Sequence, residues 1–218
     1  MQIWREEFIR LALGCDALRF GSFVLKSGRN SPYFFNAGSM SSGAAFTTLG
    51  RCYAAAIAEA DLEFDMLFGP AYKGIALATS TAIVMRQNDG RDVPCAFNRK
   101  EVKAHGEGGQ VMGAALSGKV LIIDDVITAG TAVREVVTLI RAAGAIVAGV
   151  VVGLDRAERG SGNDSARSEL VRELSCPVIS IVQLDDIVQF LVQSEEWKEH
   201  LPAMLEYRRQ WGVVQAAG

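Results

Sequence analysis

The chain has 218 residues, half of them hydrophobic, and a formal net charge of −3. That length suits one large domain whose core needs no disulfide staples. The acidic balance argues against a nucleic-acid partner, and no apolar run approaches the ~18 residues of a membrane span. Cys15, Cys52, Cys95 and Cys176 are scattered, and only His105 and His200 could join them at a metal. They read as reduced thiols of a cytoplasmic protein. The N-terminus lacks the basic and apolar regions of a secretory signal.

Trp4, Phe8, Leu11 and Leu18 recur at helical spacing and predict an N-terminal amphipathic helix. Residues 20–36 alternate and turn like a β-ribbon, with Ser27-Gly28 to Ser31-Pro32 at the bend. Tyr33, Phe34 and Phe35 cannot all face one core from a strand. Either the strand is packed on both sides, or one ring is left to stack on a flat ligand. Lys26, on the turn, reads equally as a solvated charge. An Ala-rich helix follows over 43–60, then a core strand over 64–68. Gly69-Pro70-Ala71-Tyr72-Lys73-Gly74 comes next, and a helix over 75–86. A lysine between glycines at a strand's end can offer backbone N–H groups and a cation to a pyrophosphate. It also fits an ordinary strand-to-helix turn.

Residues 93–97 predict a third strand. Residues 98–110 are polar, end in glycines and carry Arg99, Lys100, Lys103 and His105. They read as a mobile loop over about 99–110, either a cationic lid for an anionic substrate or a solvated hairpin. A strand over 111–116 returns from it.

The next stretch, Val120 to Val133, carries the densest signal. Val120 to Ile123 predicts a buried parallel strand, with Asp124 and Asp125 at its end. Thr128, Ala129, Gly130, Thr131 and Ala132 then lead into a helix with Val133, Val136, Val137 and Ile140 on one face. A small-residue turn at a helix N-terminus suits a phosphate, and the carboxylates suit hydroxyls or a nearby metal. A ribose phosphate asks for both. The apolar run 145–154 predicts a central strand ending in Asp155-Arg156, where a guanidinium can meet a carboxylate or close a salt bridge. A helix over 165–174, a strand over 178–182 and helices over 184–192 and 195–211 complete the chain. No chemistry is read in that tail.

The Val120 to Val133 string resembles the phosphoribosyl-pyrophosphate signature of type I phosphoribosyltransferases. Added to it are Leu25-Lys26-Ser27-Gly28, Ser31 to Asn36, Phe68 to Gly74, Asn98-Arg99-Lys100-Glu101 through Gly109, and Leu154-Asp155-Arg156 to Gly160. With these, nearly the whole chain resembles the bacterial orotate phosphoribosyltransferase family. The resemblance implies a single domain over 1–218. Its expected fold is the type I phosphoribosyltransferase fold, a central, mostly parallel twisted α/β sheet flanked by helices. An N-terminal hood is expected over about 1–40.

The implied reaction transfers phosphoribosyl from 5-phosphoribosyl 1-pyrophosphate to orotate, with Mg²⁺ as cofactor. By the same resemblance, Asp124, Asp125, Val126, Ile127, Thr128, Ala129, Gly130, Thr131 and Ala132 hold the ribose phosphate. Tyr72 and Lys73 meet the pyrophosphate, and Lys26, Phe34, Phe35, Thr128 and Arg156 form the orotate side. Lys26 and Lys100 also serve the phosphoribosyl donor. Arg99, Lys103 and His105 act on the neighbouring subunit of a homodimer. Lys103, His105, Asp124 and Asp125 are the expected catalytic residues, and no side chain is expected to bind the metal directly. Two rivals are a purine phosphoribosyltransferase and a nucleic-acid-binding regulator. Arg156 disfavours the first, and the acidic charge and absence of a basic helix-turn-helix disfavour the second.

Overall fold

In the computed structural model, the described residues are 1–25, 27–103, 109–127, 130–159 and 164–213, with only the backbone given for Val102 and Lys103. Helix α1 (Ile3–Gly14) leads into an antiparallel ribbon of β1 (Leu18–Val24) and β2 (Asn30–Phe35). Helix α2 (Gly43–Glu59) starts at Ser42, whose hydroxyl accepts from Ala45 N–H and caps it. Then come β3 (Met66–Gly69), α3 (Lys73–Asp89), β4 (Cys95–Lys103), β5 (Gly109–Gly113), β6 (Lys119–Ile127) and α4 (Thr131–Ala142). Strand β7 (Ile146–Asp155), α5 (Ala166–Leu174), β8 (Val178–Gln183), α6 (Leu184–Gln193) and α7 (Leu201–Trp211) finish the described chain. Pro202 lies in the first turn of α7, where its missing N–H costs no helix bond.

The six-stranded sheet has the order β5-β4-β3-β6-β7-β8, parallel throughout except for β5 at its edge. Alternation along β6 sorts the side chains into two cores. Leu121 and Ile123 join the cluster shared with α1, α2 and α3, whereas Val120 and Ile122 join the one under α4 and α5. Helix α4 presents Val133, Val136, Val137 and Ile140 to that second core, as its apolar spacing requires. The mostly parallel sheet and the N-terminal ribbon match the expected architecture.

Several elements differ from the sequence expectation, among them the last helix, which begins at Leu201 rather than at 195, after a 3-10 turn over Lys198–His200. Leu18 belongs to β1 rather than to the first helix, because the chain turns at Asp16, whose φ is 53°. Strand β4 runs on to Lys103 instead of ending at Phe97. Its antiparallel pairing with β5 resumes at Lys103↔Gly109 after an irregularity. Arg99 Nη1 also donates to the Gly109 carbonyl at 3.1 Å, stitching this polar ribbon together. Strand β6 continues four residues past Ile123, since the ladder to β7 persists through Asp124↔Val152, Val126↔Leu154 and Ile127↔Asp155. The acidic pair therefore lies within a strand.

Ile122 is fully buried at the centre of β6. Ile122→Ala should lower the unfolding free energy by about 2–5 kcal/mol in urea titration. A loss under about 1 kcal/mol would contradict a close-packed second core.

Candidate active site

Parallel topology brings the C-terminal ends of β3, β6 and β7 side by side, and many candidate residues lie at or just after those ends. After β3, the chain turns tightly through residues 70–72 into α3, with a cis peptide between Ala71 and Tyr72. Asn98 pins this turn: its side-chain oxygen, buried on β4, accepts from Ala71 N–H at 2.7 Å. Close approach makes Gly74 obligatory. A Cβ there would lie 2.7 Å from Pro70 Cδ and 2.8 Å from the Ile123 carbonyl oxygen. Tyr72 is thrown out to 72% exposure, while Lys73 Nζ reaches back to Asp125 Oδ2 at 2.7 Å.

The Asp124 and Asp125 carboxyls lie close enough at this strand end to interact with one another. Asp125 is buried and faces Lys73 at the start of α3. Asp124 Oδ1 accepts from Asp125 N–H at 2.9 Å, and Tyr53 of α2 donates its hydroxyl to the Asp124 carbonyl at 2.7 Å. Burial, then the neighbouring Asp125 charge, pushes the Asp124 carboxyl up to about 7. A carboxyl near that value takes or releases a proton with little cost around neutrality, and when ionised it accepts from hydroxyls.

Gly130 precedes α4 with φ 71°, a left-handed conformation that suits glycine. Thr131 and Ala132 then open the helix, whose first-turn N–H groups lack intrahelical acceptors and can meet a phosphate. Val126 is half-buried and Ile127 is buried in the second core, so these two position the turn by packing. Lys26, His105, Thr128 and Ala129 lie outside the described residues, as does the Lys103 side chain. Arg99 is half-buried on β4 and Lys100 is exposed there.

The base-side candidates divide. Tyr33 and Phe35 share one face of β2, where Tyr33 is fully buried and Phe35 stacks on Phe8 at 6.2 Å. Phe34 takes the other face, against Phe23 at 5.6 Å and under the Arg19 guanidinium. A strand packed on both sides accounts for all three rings. Arg156 follows β7 and is salt-bridged to Glu158 at 2.7 Å, with Ser31 Oγ at 3.1 Å from its Nη2. The ribbon and the end of β7 are thus joined.

Several partners were not legible beforehand: Tyr53, Ser31, Glu158, Tyr207 and the buried role of Asn98. Asn98 did open the polar run, which was a usable signal. Tyr207 gave none, being one aromatic among charged residues of a tail read as inert. The structure corrects that reading, since Tyr207 contacts both Glu158 and Arg156. Among the described residues no group of three or more His, Cys, Asp or Glu could enclose a metal, and no helix is long and apolar enough to cross a membrane.

Comparison with known proteins identifies the family and the fold. A family model described as the phosphoribosyl transferase domain matches residues 42–183. The orotate phosphoribosyltransferase of Pseudomonas syringae pv. tomato is 54% identical over 213 residues, 98% of this chain and 100% of that protein. The one from Pseudomonas fluorescens strain Pf0-1 is 57% identical over 214 residues, again covering 98% of this chain and all of that one. Among solved structures, the Francisella tularensis orotate phosphoribosyltransferase superposes with a TM-score of 0.85 at 38% identity, over 94% of this chain and 99% of that chain. Leishmania donovani UMP synthase, at 23% identity, shares the fold with a TM-score of 0.74, over 96% of this chain and 43% of its own. The chain belongs to the orotate phosphoribosyltransferase family.

Proposed function

We propose that the protein transfers phosphoribosyl from 5-phosphoribosyl 1-pyrophosphate to orotate, forming orotidine 5′-monophosphate and pyrophosphate in pyrimidine synthesis in the cytoplasm. The observation that carries this reading is the meeting, at one sheet edge, of a helix N-terminus, a carboxylate pair, a Lys73 turn and Arg156. A ribose 5-phosphate needs the first two, a pyrophosphate the third, and orotate's carboxylate the fourth. Adenine has no carboxylate to offer the Arg156 guanidinium beyond the Glu158 it already pairs with.

Breaking the bond from the anomeric carbon to pyrophosphate builds positive charge on the ribose and negative charge on the leaving group. Asp124 and Asp125 accept from the ribose hydroxyls and sit on the electropositive sugar. Lys73 carries a cation from its place beside Asp125 to the pyrophosphate side. Lys103 stabilises or protonates the leaving oxygen, with His105 supporting it and Arg99 adding positive charge to the same site. All three come from the neighbouring subunit of a dimer, while Lys100 serves its own. Orotate brings an acidic ring nitrogen, so the site needs no strong base. Closure of residues 99–110 keeps out water, the competing nucleophile.

The residues also fit magnesium carried in with substrate. Mg²⁺ keeps several waters and takes phosphate oxygens, so with no cluster of three carboxylates, His or Cys among the described residues the ion would be held mainly by substrate oxygens and water. When bound, the ion neutralises charge on the leaving pyrophosphate.

Lys103→Ala should lower kcat about 10²–10³-fold in steady-state assays while moving the orotate KM far less. An unchanged kcat removes Lys103 from the chemistry. Mixing inactive Lys103→Ala and Asp125→Asn homodimers should restore about a quarter of wild-type activity, because hybrids hold one intact shared site. No recovery despite demonstrated exchange counts against a site built from two chains. Asp124 offers a stability test. Its folded pKa is raised, so its contribution is full below about 4, the unfolded carboxylate range, and is lost as pH rises toward 7. Asp124→Asn should therefore gain Tm over wild type at pH 8 but not at pH 4, with weakened use of the phosphoribosyl donor. Equal Tm differences at both pH values would show that burial does not strain this carboxylate.

A further inference from the structure

Arg156 is held on most sides. Its Nε and Nη2 each lie 2.7 Å from one oxygen of Glu158. Nη2 also reaches Ser31 Oγ at 3.1 Å and the Tyr207 hydroxyl at 3.4 Å. The guanidinium carbon sits 4.2 Å from the centroid of the buried Tyr33 ring, which Tyr207 meets edge-on. Nη1 is the guanidinium nitrogen left without a partner among the described residues.

The C-terminal segment supplies much of that hold. The Tyr207 hydroxyl donates to the same Glu158 oxygen at 2.8 Å, so it bridges acid and guanidinium. Arg29 covers the Trp211 ring at 4.5 Å and meets the second Glu158 oxygen at 3.6 Å. Beyond α7, Val213 N–H donates to the Ala157 carbonyl and Arg159 N–H to the Trp211 carbonyl, both at 2.9 Å. Glu158 and Gly212 form an antiparallel bridge. Residues 211–213 thus run as a strap along 157–159, the residues that immediately follow Arg156.

We propose that α7 and this strap are the positioning element of the base site: Tyr207 and the strap-held Glu158 fix Arg156 on Tyr33, leaving Nη1 for the acceptor's carboxylate. The inference rests on the assignment of Arg156 to orotate made above. A free arginine samples many rotamers, and each must be lost when a ligand binds. Here three acceptors and an aromatic plane remove that freedom beforehand, so less ordering opposes binding. Tyr207 acts through Arg156 and is a positioning residue.

Tyr207→Phe keeps the ring and deletes the bridge. The KM for orotate should rise about three- to tenfold, with the KM for 5-phosphoribosyl 1-pyrophosphate within about 1.5-fold of wild type. On an Arg156→Ala background the same change should add nothing, because the group it positions is gone. If Arg156→Ala leaves the orotate KM unchanged, the assignment of Arg156 and this inference both fall. If Arg156→Ala raises it but Tyr207→Phe does not, or raises both KM values alike, the positioning role is overturned and the Arg156 assignment stands. Should Tyr207→Phe fail to fold, hydrogen exchange on the wild-type protein decides. Orotidine 5′-monophosphate should slow exchange across 205–213 and ribose 5-phosphate should not; equal protection by both overturns the proposal.

Discussion

Backbone pairing between β6 and β7 continues through Asp124 and Asp125 as far as Ile127↔Asp155, and the rest of the site depends on that continuity. A strand end that stopped at Ile123 would leave two adjacent carboxylates on a flexible loop. Within the ladder their backbone is held rigidly. Asp125 meets Lys73 at the start of α3, and Asp124 accepts from the Asp125 N–H. The same ladder delivers Arg156 directly after its last paired residue. Rigidity of this kind matters because groups that stabilise a transition state act best when they need not reorganise.

Holding acids there has a cost. The neighbouring Asp125 and low solvent access both disfavour ionised Asp124, which is why its carboxyl is pushed up to about 7. Lys73 offsets part of the cost on the Asp125 side, although it stays half-exposed and its pairing is screened by water. The fold also supports this strand end with a neutral donor, the Tyr53 hydroxyl on the Asp124 carbonyl. The arrangement leaves a carboxylate less stable than it would be in solvent, as expected where a site is shaped for a ligand rather than for the free protein.

Arg156 shows the opposite strategy. Its charge is compensated by Glu158, itself gripped by Tyr207 and Arg29, so the guanidinium is expensive to move and already oriented. Burial holds the Asp124 carboxyl up at about 7, while Arg156 is locked in place. Neighbouring strand ends thus present different kinds of surface.

Much of this was legible in the residues themselves. Apolar runs at 120–123 and 145–154, the glycine-bounded Lys73 turn and the small-residue approach to α4 are local signals, because period and turn chemistry act over a few residues. They marked most strands and helices and the candidate phosphate and pyrophosphate turns, while the mostly parallel sheet as a whole was implied by the family resemblance. What only tertiary structure decided were the properties set by partners far away in sequence. The ladder to β7 decided that the acidic pair lies within a strand. The packing of β1 and α1 decided that Phe34 and Phe35 part to opposite faces. The docking of Tyr207 and Trp211 beside residues 155–159 turned a tail with no local motif into the frame around Arg156. Hydrogen bonds spanning 49 and 125 positions leave no trace in local pattern, since the chain fixes spacing but only the folded core brings distant side chains to one place.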